Sequence, residues 1–362
     1  MDNEVIVMSK SITKSETSNV VGLDPKPILT DPVKVAGVTG IPRATSDATN
    51  VTNSGAWCRT YRFPVKMSPT STDCYEVFGD FCTNQPLTDE TTVQILLAGG
   101  SNNTTYWDWP LDPDNHSYVR HATRSGFAVL NVDRLGYGKS DHPDPTKIDF
   151  PVGGYVVHQL VQYLKEGALG HKFKKVVLNG NSLGGMVAWY AASQHQSADA
   201  VIVSGVGHNF SELALKAVLS AVQPVEENPR YGRGLGWKPG YLVRTLTPTA
   251  PESGHDWYTE YLGDTVTIAE LQTLMDASRD YSITRNIKVP VLFAMGHHDV
   301  RWCTTTGDCT TDPVFTTESS YYGPLARFES FIVPNSGHLT NKSLGAKVFY
   351  EKIDTWLHSH GL

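Results

Sequence analysis

This chain contains no apolar run of the roughly 18–20 residues that a membrane-spanning helix requires. It also lacks an excess of positive charge, with 30 Lys and Arg against 37 Asp and Glu and a net charge of −7. An acidic chain without a basic stripe has no electrostatic footprint for nucleic acid or for an anionic membrane surface. Its 5 cysteines and 13 histidines never fall into spacings such as His-Glu-x-x-His or paired Cys-x-x-Cys, so no metal site is expected. The glycines of Asp133-Arg134-Leu135-Gly136-Tyr137-Gly138-Lys139-Ser140 match neither Gly-x-Gly-x-x-Gly nor a P-loop lysine, which excludes a phosphate cradle there. Internal repeats are absent. Met1 to Met8 has neither the basic region nor the apolar core of a secretory signal, so a cytoplasmic location is the default expectation.

Cysteine placement points the other way. Cys58, Cys74 and Cys82 lie in the N-terminal part, while Cys303 and Cys309 flank a short polar loop that a disulfide would close. Two of the first three can pair, leaving one odd. Asn-x-Ser/Thr sites occur at Asn50, Asn102, Asn103, Asn115, Asn209 and Asn341, each also readable as a plain loop asparagine. The compartment stays open between a mature secreted domain and an intracellular relative of one; the oligomeric state is equally open.

With 362 residues, 40% hydrophobic and 19% charged, the chain is long enough for one large α/β domain, or for one domain plus an inserted lid. Residues 1–55 are rich in Ser, Thr, Asn, Val and Pro and read as an extension that is partly disordered or draped over the domain. Cys58 to Val65 and Cys74 to Phe81 alternate as half-exposed strands do, and form an antiparallel edge pair turning at Ser68-Pro69-Thr70. Short apolar runs follow at Val93 to Ala98, Phe127 to Val132, Val176 to Leu178, Ala200 to Ser204, Val289 to Met295 and Phe328 to Val333. Continuous apolar runs of this length suit a parallel sheet buried on both faces. Helical stretches fall at Tyr118 to Ser125, Tyr155 to Gly167, Leu183 to Gln194 and Leu344 to His358, giving an α/β fold with helices on both faces of a mostly parallel sheet. The alternation breaks over 209–287, where two helical segments (Leu213 to Val222, Ile268 to Arg279) flank a Pro/Gly/Arg-rich stretch with many aromatics. We read 209–287 as a lid inserted between core parts 56–208 and 288–362, with Trp237 and Tyr241 as substrate contacts.

At Gly180-Asn181-Ser182-Leu183-Gly184 a short strand stops in a small-residue turn and a helix begins. A serine at the apex of such a turn is lifted clear of its own backbone and faces the positive end of the helix. Serine is a weak nucleophile unless a base takes its proton and a third group orients that base. Asp299 follows the strand Val289 to Met295, and His338 follows the strand Phe328 to Val333. The order Ser182, Asp299, His338 is therefore the expected catalytic set, with His297 and His298 as rival bases and Asp308 and Asp312 as weaker rival acids. The backbone N–H of Leu183 is the expected first oxyanion donor. The loop Gly99-Gly100-Ser101 supplies the second, Gly100 before Ser101. Ser101 and Asn181 are also expected to touch substrate; the Asp133 to Ser140 loop is read as structural, with bracing of the site by Asp133 and Arg134 as the alternative.

Four features resemble the α/β-hydrolase superfamily over Thr92 to Leu362: Leu97-Ala98-Gly99-Gly100, the Asp133 to Ser140 loop, Gly180 to Gly184, and Gly337-His338 before a C-terminal helix. The cysteine-bearing N-terminal strand pair is similar to that of uncharacterised fungal and bacterial esterase-like members. The resemblance implies a serine hydrolase that needs no cofactor and acts on a small-molecule ester, lactone or thioester; acyl transfer or cyclisation, or ligand binding without catalysis, are its alternatives. Members commonly carry His-Gly where Ala98-Gly99 stands, and often His where Asn181 stands. Relatives that open epoxides or haloalkanes carry Asp at the elbow, and Ser182 excludes that route.

Overall fold

A computed structural model describes residues 57–110, 112–227 and 263–362, together with the backbone of the strands β1 (Val33–Val35), β2 (Val38–Ile41), β3 (Thr45–Val51) and β11 (Tyr241–Arg244). The remaining strands are β4 (Trp57–Val65), β5 (Tyr75–Cys82), β6 (Thr92–Leu97), β7 (Ala128–Val132), β8 (Lys175–Asn181), β9 (Ala200–Ser204), β10 (Val222–Pro224), β12 (Thr265–Thr267), β13 (Val291–Gly296) and β14 (Glu329–Val333). Nine of them form one sheet in the order β14-β13-β9-β8-β6-β7-β5-β4-β3. The six from β6 to β14 in this sheet run parallel, and β5, β4 and β3 add an antiparallel edge.

Every residue of β6, β7, β9 and β13 is buried, which is why these strands read as largely apolar runs, interrupted by a few buried polar residues such as Gln94 and Asn131. Their side chains alternate between two cores. Ile95, Leu97, Val176, Leu178, Val201 and Val203 pack with the helices Phe150–Glu166 and Leu183–Tyr190 on one face. Leu96, Val177, Ala200 and Ile202 pack with the helices Tyr118–Arg124 and Ala346–Ser359 on the other. Each fully buried aliphatic side chain contributes about 1.5–3 kcal/mol, so the two cores hold the sheet rigid beneath the site.

The helix expected from Tyr155 starts earlier, at Phe150. Asp149 caps it by accepting from Val152 N, Pro151 is tolerated in the first turn, and Gly167 ends it at φ 83. The edge pair is as expected, and a disulfide joins Cys58 of β4 to Cys82 of β5, residues directly opposite in register. A second disulfide closes Cys303 on Cys309, leaving Cys74 as the free thiol. Two disulfides are compatible with an oxidising compartment. Of the glycosylation-type asparagines, Asn102 and Asn341 are buried, whereas Asn115 and Asn209 are exposed.

Two features depart from expectation. β3, from the stretch read as an extension, pairs antiparallel with β4 and forms the edge of the main sheet. Within 209–287, β10, β11 and β12 form a separate antiparallel sheet flanked by the helices Glu212–Ser220 and Ile268–Arg279. Strands of three or four residues are too short to show a period in sequence. Among the described residues no helix is long and apolar enough to cross a membrane.

The sheet order places the site. After β6 the chain adds β7 on one side, then returns to add β8, β9, β13 and β14 on the other. Loops leaving the C-terminal ends of β6 and β8 therefore diverge to opposite faces, and a crevice opens between them.

Candidate active site

Ser182 leaves β8 at φ 52 and ψ −125, a backbone conformation that side chains rarely adopt, and the helix Leu183–Tyr190 begins behind it. Close packing enforces that turn. A Cβ on Gly180 would lie 2.5 Å from Gly184 O, and one on Gly184 only 2.3 Å from Leu97 O. Ser182 N donates to Ser204 O at 2.8 Å, tying the apex to the end of β9.

His338 Nε2 lies 2.9 Å from Ser182 Oγ, and its Nδ1 lies 2.9 Å from Asp299 Oδ2. A carboxylate oxygen accepts, so Nδ1 carries the proton and Nε2 is left to accept from the serine hydroxyl. All three residues stand beyond C-terminal strand ends. Asp299 is wholly buried, and His338 is 5% exposed. Asp299 is held firmly: its Oδ1 accepts from Arg301 N at 3.1 Å, and its carbonyl accepts from Trp302 N and Cys303 N at 3.1 and 2.8 Å. The Cys303–Cys309 disulfide thus clasps the loop that carries it. The loops after β13 and β14 run in contact, since a Cβ on Gly296 would lie 2.0 Å from Gly337 O.

The rival residues are occupied elsewhere. His297 pairs with Asp308 at 3.2 Å and stacks on His298 at 4.2 Å. Asp312 caps the helix Pro313–Thr316 and accepts from Thr305 N and Thr306 N.

Gly100 and Leu183 come together beside Ser182, with Leu183 Cδ1 only 2.7 Å from where a Cβ on Gly100 would sit. Ser101 is excluded as an oxyanion donor. Its N–H is spent on Thr265 O at 3.1 Å, and its carbonyl accepts from Asp264 N at 2.9 Å. The Ser101 residue itself does line the pocket. Asn181 does not meet the pocket, which corrects its reading as a substrate contact. It is fully buried behind the elbow because successive strand residues face opposite sides. There its Nδ2 donates to Ser204 O and Oγ, both at 3.2 Å, and to His338 O at 3.4 Å. Trp237 lies outside the described residues, and only the backbone of Tyr241 lies within them, as the first residue of β11.

The pocket over Ser182 and His338 encloses, with its open mouth, about 660 Å³. Phe210, Val222, Val266, Leu271, Leu274 and Trp302 make most of its described wall apolar. Phe210 and Trp302, whose rings pack at 4.6 Å, were not anticipated. Both follow sheet strands, β9 and β13, and the strand-end rule that selects Asp299 would have selected them. Just past the end of β7, Asp133 accepts from Thr104 N at 2.7 Å and Lys139 N at 2.8 Å, while burial pushes its carboxyl up to about 7.

A family model described as the alpha/beta hydrolase family matches residues 95–349, more than half of the chain's 362 residues. The chain belongs to the alpha/beta hydrolase family. Among solved structures it is similar to a malate-bound thermophilic esterase from Thermogutta terrifontis, at 16% identity and a TM-score of 0.54, over 83% of this chain and 99% of that one. It is also similar to the monoacylglycerol lipase of Paleococcus ferrophilus (16%, TM-score 0.51, 75% and 96% of the two chains). GrgF, an alpha/beta hydrolase from Penicillium sp. sh18, gives 14% identity and a TM-score of 0.53 over 84% of this chain and 99% of that one. At these identities the likeness is one of fold. No curated protein matches the chain. In this alpha/beta hydrolase the residue before the elbow serine is a structural tie, and Asn181 has both the donor and the reach for it.

Proposed function

We propose that this alpha/beta hydrolase cleaves a carboxylic ester or lactone through an acyl-enzyme on Ser182. The observation that carries the reading is the pair of 2.9 Å contacts linking Ser182, His338 and Asp299 at a strained strand-to-helix turn. Ser182 Oγ attacks the carbonyl carbon while its proton passes to His338 Nε2. The tetrahedral oxyanion sits between the N–H groups of Leu183 and Gly100, and Asp299 stabilises the imidazolium. Collapse of the intermediate expels an alkoxide, which takes the proton from His338. Water then repeats the sequence on the acyl-enzyme and releases the acid.

The apolar wall favours substrates with an apolar group beside the scissile carbonyl. The described parts of 209–287 act as a cap over core parts 56–208 and 288–362, supported by Phe210, Val222, Val266 and Leu271 in the pocket wall; the rest of that span lies outside the described residues.

A fluorophosphonate probe is expected to label the folded protein at Ser182, and p-nitrophenyl butyrate to be hydrolysed. Ser182→Ala should abolish labelling and lower turnover by roughly 10³-fold or more. Folded wild-type protein that takes up no probe would end this reading.

A further inference from the structure

The loop that carries Gly100 is held from outside the site. Arg134 is 7% exposed, and its Nε donates to the carbonyl of Ala98 at 2.9 Å, two residues before Gly100. Its Nη1 forms an ion pair with Glu270, which is wholly buried in the helix Ile268–Arg279. The Glu270 carboxylate also accepts from Tyr137 Oη and from Thr267 Oγ1, the latter at 3.0 Å. The guanidinium lies over the Tyr137 ring, 4.1 Å from its centre. Leu271 and Leu274, on the same helix, line the pocket, as does Val266 of β12. The Ser101–Thr265 and Asp264–Ser101 backbone hydrogen bonds stitch β12 to the same loop.

We propose that Arg134 and Glu270 are positioning residues that set the Gly99–Gly100 loop at reacting distance from Ser182. In the same act they lock the segment Thr265–Arg279 to the core as a fixed wall of the pocket. A buried ion pair is a poor source of stability, because desolvation cancels most of its attraction, but it defines geometry well. Arg134 reaches the loop through a carbonyl, and Glu270 both neutralises the guanidinium and aims it. Transition-state stabilisation by backbone N–H groups depends on their placement before the reaction begins, so a loop released from Ala98 O loses rate rather than substrate affinity.

This inference rests on the hydrolase reading for its kinetic arm only. Glu270→Gln and the apolar double variant Arg134→Met/Glu270→Met are compared with wild type, active sites being counted with the fluorophosphonate probe. Per active site, kcat for p-nitrophenyl butyrate should fall about 10- to 100-fold with KM within about threefold, and inhibition by butylboronic acid should weaken in step with kcat/KM. The double variant removes the charges together and so remains foldable if the single one does not. Unchanged kcat per site in a folded variant, even with a lowered Tm, would show a purely structural pair and overturn the proposal. Amide exchange over residues 96–103 supplies an arm independent of activity. Exchange there should accelerate at least tenfold in the variants, and unchanged protection would overturn the proposal even if the wild type proved inactive.

Discussion

The two halves of the site are built in different ways. On the Ser182 side, the elbow is positioned by backbone packed so closely that a methyl added at Gly180 or Gly184 would collide with it, while one at Gly99 or Gly100 would meet the side chain of Ser182 or Leu183. On the other side, Asp299 and His338 stand on longer loops, held by hydrogen bonds from Asn181, Arg301, Trp302 and Cys303 and by one disulfide. The first half tolerates no volume. The second refuses it too at Gly296, whose Cβ would lie 2.0 Å from Gly337 O, but it depends in addition on side-chain partners and a disulfide, so the two should fail in distinguishable ways.

Gly184→Ala tests the first half most severely. Its methyl would meet Leu97 O at 2.3 Å and Ala98 O at 2.5 Å, pushing the elbow off β6. Loss of stability by about 4 kcal/mol or more is expected, together with loss of labelling, and denaturant titration would reveal it. A folded, active Gly184→Ala would erase the contrast.

Asn181→Ala probes the join between the halves. Removing the donor takes away the Asn181 bond to His338 O, while Ser204 O keeps its bond from Ser182 N, at a cost of about 1–3 kcal/mol. Freed from its tie, His338 should lose catalytic efficiency about tenfold while the elbow still forms. Steady-state kinetics beside thermal melts would separate the two effects.

The disulfides sharpen the comparison, because one lies at the site and the other far along the sheet edge. By loop length, losing Cys58–Cys82, with its separation of 24, should cost about 3.5 kcal/mol. Losing Cys303–Cys309, with its separation of 6, should cost about 2 kcal/mol. Activity should follow the opposite order. Cys303→Ser/Cys309→Ser loosens the Asp299 loop and lowers kcat, whereas Cys58→Ser/Cys82→Ser leaves kcat per folded molecule unchanged.

The smallest effect concerns His195, at the far end of the helical run that begins behind Ser182. Burial, with the neighbouring His158, lowers its pKa to about 4 from an ordinary 6.5. Between those values the unfolded chain binds a proton that the folded chain refuses, so stability falls as pH drops through this window and levels off below it. Relative to His195→Gln, the wild-type Tm should decline from pH 6.5 to 4. A constant gap between the two melting curves would count against this.

Much of this was legible in the residues themselves. The interior parallel strands β6, β7, β9 and β13 coincided with largely apolar runs, because a strand buried on both faces admits little else, whereas the edge strand β14 is half-exposed and carries Glu329 and Ser330. The helix Phe150–Glu166 was read five residues short, because its first turn is specified by the Asp149 cap and Pro151 rather than by apolar spacing. The strands β10 and β12 went unread, since three residues carry no period.

The order Ser182, Asp299, His338 and the glycine-lined elbow are properties of contiguous stretches, for turn chemistry and strand ends are written locally. Sequence alone therefore determined the family, the elbow and the order of the candidate groups. The inward face of Asn181, the partner of Cys58, the commitment of Ser101 N to Thr265 and the pairing of Arg134 with Glu270 were decided only by the tertiary structure. Each of these depends on how segments distant in the chain register against one another. That register is set by the packing of the whole sheet and its covering helices, and no short stretch of residues records it.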